Sequence, residues 1–163
     1  MSAPVAEAPR PRVLVIEDGF EYITNLRQFL GGALALDRAG DGPAALSILE
    51  SSAFDAIFLD MRFDRAPALL GDLDELCARF AGDTARARRF LEDNQGTYIL
   101  AALREAGCGL PVVMSYDFDG EPRRFQNLAK RYGPLGYLND AAGPVEIRAA
   151  LTAAARGAPG ASA

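Results

Sequence analysis

Histidine is absent from this sequence of 163 residues. A Ser-His-Asp triad, a histidine zinc site and a histidine general base are therefore excluded within the chain. The two cysteines, Cys77 and Cys108, form neither a zinc motif nor a disulfide framework, so a reducing cytoplasm is the expected compartment. No apolar run approaches the length of a membrane span, and Met1 to Arg12 lacks the apolar stretch of a signal peptide.

Lysine is nearly absent as well. Lys130 is the only lysine, and the other sixteen of the seventeen basic residues are arginine. The net charge of -5 leaves no basic patch for nucleic acid or for an acidic membrane, so neither is expected as a partner. The length is typical of one domain, and half of the residues are hydrophobic, which is enough for a sizeable core.

Two short apolar runs end in acidic residues. Ala56 to Leu59 is followed by Asp60, and Val13 to Ile16 is followed by Glu17 and Asp18. Such runs predict strands that are buried on both faces of a parallel sheet. If the two strands are neighbours, three carboxylates converge at the sheet edge where ligands bind, and they repel each other unless a cation or a donor lies among them. The alternative is that these acids are solvated or cap the following helices.

Strand and helix patterns alternate five times along the chain. The remaining strands are predicted at Ala33 to Ala39, Val112 to Ser115 and Leu135 to Leu138, and a helical pattern follows each of the five. This alternation predicts one α/β domain with a doubly wound parallel sheet over residues 12–156. Residues 1–11 are predicted to be a flexible tail and residues 157–163 a disordered one.

The segment 63–94 interrupts this alternation. Its first half has apolar residues at helical spacing, namely Leu73, Leu76, Cys77 and Phe80, and a second short helix is predicted from Asp83 to about Leu91. Compact domains seldom carry so long a segment without structure, so we expect one or two helices that form part of a partner or dimer surface. The segment also starts beside Asp60, where Arg62 or Arg65 could bring positive charge to the acidic pocket.

Taken in order, these motifs resemble the receiver domain of bacterial two-component response regulators over about residues 12–156. The likeness lies in Val-Leu-Val-Ile-Glu-Asp at 13–18, Asp-Gly at 41–42, Phe-Asp-Ala-Ile-Phe-Leu-Asp at 54–60, Leu-Pro-Val-Val at 110–113 and Gly-Tyr-Leu at 136–138. The resemblance implies a flavodoxin-like fold with strand order 2-1-3-4-5. It also implies a signalling protein that works through a relay of phosphoryl groups.

The resemblance further implies a phosphorylation site. Asp60 matches the phosphoacceptor, Glu17 and Asp18 match the acids that hold magnesium together with Asp60, and Arg62 matches the residue whose backbone carbonyl completes the metal shell. Magnesium suits such a site because a hard cation prefers oxygen ligands and neutralises charge during phosphoryl transfer.

The residues that read out phosphorylation in the family are altered here. The family places a lysine three residues after the aromatic position matched by Tyr137, and Asp140 stands there, with the opposite charge. The family's hydroxyl position is occupied by Tyr116, and Ser115 comes one residue early. A one-residue offset predicts that Ser115 points to the other face of the sheet unless the strand carries a bulge.

The family's helix after the phosphoacceptor strand is displaced along the chain. Its expected start, Gln95-Gly96, follows Asp60 only after the segment 63–94, which we therefore interpret as a helical insertion at the rim of the pocket.

These features predict a stand-alone, atypical receiver domain that is not an enzyme. It would act through protein–protein contacts, with a signalling protein such as a histidine kinase or with a second copy as partner, and with its phosphorylation switch lost or altered. One alternative is a receiver in which Asp60 still accepts phosphate with the help of magnesium. A more remote one is a phosphatase of the haloacid dehalogenase type, which would need a second aspartate where Arg62 stands.

Overall fold

The computed structural model of the chain describes residues 8–157. Most of the tail predicted at 1–11, and all but the first residue of the tail predicted at 157–163, lie outside the described residues. The described part contains a sheet of five parallel strands in the order β2-β1-β3-β4-β5. The strands are β1 (Arg12–Ile16), β2 (Ala35–Ala39), β3 (Ala56–Asp60), β4 (Val112–Ser115) and β5 (Leu135–Leu138). The predicted fold class and strand order are confirmed.

Seven helices connect and cover these strands in the described part of the chain. They are α1 (Glu21–Leu30), α2 (Gly42–Ser51), α3 (Leu73–Arg79), α4 (Thr84–Asp93), α5 (Gln95–Glu105), α6 (Pro122–Tyr132) and α7 (Pro144–Ala155). The start of α2 illustrates how the sequence specifies a boundary. The side chain of Asp41 accepts a hydrogen bond of 2.8 Å from the N–H of Ala44, and Pro43 in the first turn has no N–H to satisfy.

The apolar strands fill two hydrophobic layers, one on each face of the sheet. Leu14 and Ile16 of β1 point into the layer under α2, α5 and α6, whereas Val13 and Val15 point into the layer under α1 and α7. Because helices cover both faces, both sets of side chains are buried, which explains why the central strands are continuous apolar runs rather than alternating ones.

The segment between β3 and α5 leaves the sheet and returns to the same point. The N–H of Gly96 donates to the carbonyl of Met61 at 2.9 Å, and the N–H of Phe63 donates to the carbonyl of Glu92 at 2.9 Å. A β-carbon at position 96 would lie 2.5 Å from the carbonyl oxygen of Asp60, so only glycine allows α5 to begin this close to the end of β3. The segment therefore forms a closed excursion from the end of β3.

The excursion contains two helices, as predicted, and they bury their apolar stripe within the chain. Leu76 of α3 packs with Ala87 and Leu91 of α4, and this small cluster rests on Tyr98 of α5. The stripe therefore needs no second chain to cover it. The first part of the excursion belongs to the main core, since Phe63 is fully buried there. No helix among residues 8–157 is long and apolar enough to cross a membrane.

Candidate functional site

Asp60 is the last residue of β3 and lies at the carboxyl edge of the sheet. One oxygen of its carboxylate, Oδ1, accepts a hydrogen bond of 2.8 Å from the N–H of Met61. Burial raises the pKa of Asp60 to about 6; the negative charges of Asp18 and Glu17 add to the rise, while the Met61 hydrogen bond opposes it. The charges of Asp18 and Glu17 thus reach Asp60, as the sequence predicts if β1 and β3 are neighbours.

Glu17 turns its carboxylate towards helix α1. Its Oε1 accepts a hydrogen bond of 3.1 Å from the N–H of Tyr22, and its Oε2 accepts one of 2.8 Å from the N–H of Ile23. The first N–H groups of a helix have no partner within the helix and carry partial positive charge, so a buried carboxylate is stabilised there. Burial raises the pKa of Glu17, and these two bonds oppose the rise. Glu17 therefore serves as a helix cap, the alternative reading of its position in the sequence.

Asp18 is covered by an arginine from the excursion. Its side chain is only 3% exposed. Its Oδ2 accepts a hydrogen bond of 2.7 Å from the N–H of Arg65, and its Oδ1 lies 3.6 Å from the guanidinium nitrogen Nη2 of Arg65. The same guanidinium makes a two-point contact with Glu21, at 2.9 and 3.2 Å. The hydrogen bond from Arg65 lowers the pKa of Glu21 to about 2.

Arg62, the other arginine expected near the pocket, is engaged elsewhere. Its guanidinium pairs with Asp64 and with Asp93 of α4, each at 3.3 Å. Asp64 also lies 3.9 Å from Arg65. Of the two candidate arginines, it is Arg65 that contacts an acid of the pocket.

Ser115 lies beside Asp60, not on the far side of the sheet. The two residues are register partners in β3 and β4, so their side chains leave the sheet on the same face, and no bulge is needed. The prediction that Ser115 points to the other face without a bulge is wrong, because it was made from sequence offset alone and the strand register decides the face. The hydroxyl of Ser115 is 2.7 Å from the hydroxyl of Tyr22.

Tyr22 is a site residue that the sequence reasoning did not identify. Its position at helical spacing in α1 predicts a core residue, and its ring does pack edge-on against Phe58, with centroids 5.0 Å apart. Its hydroxyl, however, reaches the pocket and bonds to Ser115. Burial raises the pKa of Tyr22, with the charges of Asp60 and Asp140 contributing. The sequence does contain one indication of this role: Tyr22 carries a hydroxyl and stands in the first turn of the helix that follows Glu17 and Asp18.

Tyr116 and Tyr137 belong to an aromatic cluster on the α6 side of the sheet. The hydroxyl of Tyr116 donates to Glu121 at 2.7 Å, and that of Tyr137 donates to Asp119 at 2.6 Å. Both rings pack edge-on against Phe118, with centroids 4.7 and 5.3 Å from it. The two predicted switch positions are therefore close to each other.

Asp140 lies in the turn after β5 and is exposed. The resemblance matches it to the position where the family has its lysine. Lys130, the only lysine, lies on α6 and is also exposed.

Magnesium does not fit the donors in the arrangement that the structure shows. Both oxygens of Glu17 accept hydrogen bonds from α1, and both oxygens of Asp18 face Arg65. Within residues 8–157, no three carboxylate or cysteine side chains are placed to hold one metal ion. A hard divalent cation needs several oxygen ligands that are not already engaged, and this arrangement does not offer them.

Comparison with known proteins identifies the fold. No protein-family model matches this sequence, and no curated protein matches it significantly. The receiver domain of a Francisella response regulator matches with a TM-score of 0.63 and 18% identity, over 90% of this chain and 98% of that one. The chemotaxis protein CheY4 of Vibrio cholerae matches with a TM-score of 0.61 and 18% identity, over 90% of this chain and 99% of that one.

A third similar structure comes from a sensor histidine kinase of Pseudomonas aeruginosa. Its receiver domain, described with a magnesium ion coordinated in the active site cleft, matches with a TM-score of 0.59 and 18% identity, over 91% of this chain and 99% of that one. The chain therefore has the fold of response regulator receiver domains, as its motifs predict.

Proposed function

We propose that the chain is an atypical receiver domain in two-component signalling, with a phosphorylation switch that is lost or altered. It works through contacts with signalling proteins, a histidine kinase being the expected class, is not itself an enzyme and acts in the cytoplasm. The receiver fold supports the signalling role. The observation that carries the altered switch is that its polar groups are already bonded within the chain. Asp18 is paired with Arg65, and Ser115 with Tyr22.

The charges around Asp60 support the same proposal. A phosphorylated aspartate is a dianion, which needs a cation and hydrogen-bond donors beside it. At the position where the family has its lysine, this chain carries the acid Asp140, which disfavours a dianion electrostatically. Its only lysine, Lys130, lies on α6. A partner can still bind such a domain, because protein contacts need a surface and not a phosphoryl group.

A second candidate is a receiver in which Asp60 accepts phosphate. The register between β3 and β4 favours it, since Ser115 stands beside Asp60 and its hydroxyl could turn to a phosphoryl group if Tyr22 released it. The haloacid dehalogenase alternative has no such support. The nearest further aspartate, Asp64, is paired with Arg62.

Phosphorylation separates the two receiver candidates. The protein is incubated with acetyl phosphate and magnesium and its intact mass is measured, with Asp60→Asn as the matched control. Beryllofluoride binding, followed by NMR, serves as a stable proxy for the phosphorylated state. We expect no adduct and no beryllofluoride shift. A stoichiometric adduct that is lost in Asp60→Asn would replace the altered-switch proposal with the phospho-accepting one.

Partner binding tests the signalling role itself. If phosphorylation is not the switch, wild-type protein and Asp60→Asn should bind the same signalling proteins equally well in affinity capture from source cells. A large loss of binding in Asp60→Asn would favour the phospho-accepting receiver.

The helices α3 and α4 remain our proposed partner or dimer surface. Their apolar stripe is covered within the chain, which leaves an exposed, arginine-rich face, together with Phe90, for such a contact. Light scattering of the purified protein tests the homodimer directly.

A further inference from the structure

The acidic pocket contains a positive charge that comes from its own chain. Arg65 contacts Asp18 twice, through its backbone N–H and through its guanidinium, and it also pairs with Glu21 at the start of α1. An almost fully buried carboxylate needs a counter-charge or donors, and Arg65 supplies both. Because a guanidinium stays protonated throughout the physiological pH range, this counter-charge does not titrate there.

Arg65 is held in place by the segment that carries it. On one side of it Phe63 is fully buried, and its N–H donates to the carbonyl of Glu92. On the other side the fully buried side chain of Gln95 accepts from the N–H of Leu70 at 2.7 Å and donates to its carbonyl at 2.9 Å. With both flanks anchored, the backbone of Arg65 is held at the pocket, which leaves mainly the side chain to be ordered.

The loop after β1 leaves room for this arginine. A β-carbon at position 19 would overlap the carboxylate of Glu21 and the guanidinium of Arg65. The glycine at that position therefore leaves room for the ion pair between Glu21 and Arg65 where it lies in this structure.

We propose that Arg65 is a resident cation that neutralises Asp18 in place of a divalent metal ion. This rests on the proposed function in taking the pocket as the counterpart of a receiver's metal site. A guanidinium balances charge but offers no empty coordination position, so it cannot draw in the oxygens of a phosphoryl donor as a metal would. Magnesium and the guanidinium of Arg65 then compete for Asp18, and the metal binds only when the guanidinium is displaced.

Magnesium titration of purified protein tests this competition. Binding is followed through the backbone amide NMR shifts of Asp18 and Asp60 in wild type, Arg65→Gln and Arg65→Lys. Removal of a positive charge within ion-pair distance should strengthen magnesium binding by about tenfold or more in Arg65→Gln. Arg65→Lys keeps the charge and should stay near wild type. Arg88→Gln is the matched control, since Arg88 lies on α4 and pairs there with Glu92.

Adding Asp18→Asn to Arg65→Gln should abolish the gain, which would place the metal at Asp18. The proposal is overturned if the magnesium affinity of Arg65→Gln is no higher than that of the wild type. Amide shifts that are unchanged away from the pocket establish that the variant is folded when this comparison is made. The titration contains no partner and no phosphoryl donor. A negative titration would therefore count against the role of Arg65 and not against the signalling role. A negative partner-binding test would count against the signalling role and not against the role of Arg65.

Discussion

Replacement of Asp60 by asparagine should stabilise the folded protein near neutral pH. The carboxylate is largely buried beside two other acids, and its pKa is about 6 in the folded protein against an ordinary value of 3.8. At about 1.4 kcal/mol for each pH unit, that difference corresponds to about 3 kcal/mol by which the ionised group destabilises the fold. Asparagine removes the charge, and its oxygen can still accept the N–H of Met61. Because solvent reaches part of the group, we expect a gain of about 1–3 kcal/mol.

The sign of the pH dependence follows from the raised pKa. Below about pH 4 the carboxyl is protonated in both the folded and the unfolded chain, so Asp60→Asn changes little. Between about pH 4 and pH 6 only the folded chain holds the proton, so the contribution of Asp60 to stability falls as the pH rises through this window. The advantage of Asp60→Asn should therefore grow across the window and stay constant above it.

Urea denaturation followed by circular dichroism, at several pH values and with EDTA present, measures the difference. Since Glu17 has a raised pKa as well, the useful quantity is the variant minus the wild type, not the wild-type curve alone. Asp140→Asn is the matched control, because it makes the same charge change at an exposed position after β5. We expect it to alter stability by less than about 0.5 kcal/mol.

Two outcomes would refute this reasoning about Asp60. One is an Asp60→Asn variant that is less stable than wild type at neutral pH. The other is a stability difference that does not change between acidic and neutral pH, which would mean that the carboxylate is well solvated or already compensated by a counter-charge.

Two further substitutions test how the pocket and its surroundings are built. Phe63→Ala should lower the free energy of unfolding, measured by urea denaturation, by about 3–5 kcal/mol, because removal of a fully buried ring leaves a cavity in the main core. A decrease below about 1 kcal/mol would mean that the start of the excursion packs loosely. A double-mutant cycle of Tyr22→Phe and Ser115→Ala should give a coupling of about 1 kcal/mol through their hydrogen bond, and a coupling of zero would contradict that contact.

Much of the fold could be predicted because its signals are local. An apolar run that stops at an acid, such as the one ending at Asp60, places a strand and its carboxyl end without knowledge of the rest of the chain. Helical spacing around Leu76 and the short helical pattern from Asp83 to about Leu91 likewise predict one or two helices within 63–94. Strand order needed the resemblance to a known family, because local patterns do not specify which strands are neighbours.

The partners of the site residues were decided by tertiary structure. Whether Glu17 faces a metal or caps α1 depends on where the first turn of α1 lies relative to β1. The face of Ser115 depends on the register of β4 against β3, which neither strand's sequence contains.

Arg65 shows most clearly which properties the sequence determines and which the tertiary structure determines. The sequence alone determined that an arginine follows the end of β3 and that both β1 and β3 end in acidic residues. That Arg65, and not Arg62, reaches Asp18 depended on the tertiary path of the excursion, which joins residues 47 positions apart and is set by the burial of Phe63 and the bonds between Gln95 and Leu70. The physical reason is that pairing between distant charges is specified by packing, whereas strand and helix patterns are specified by neighbouring residues.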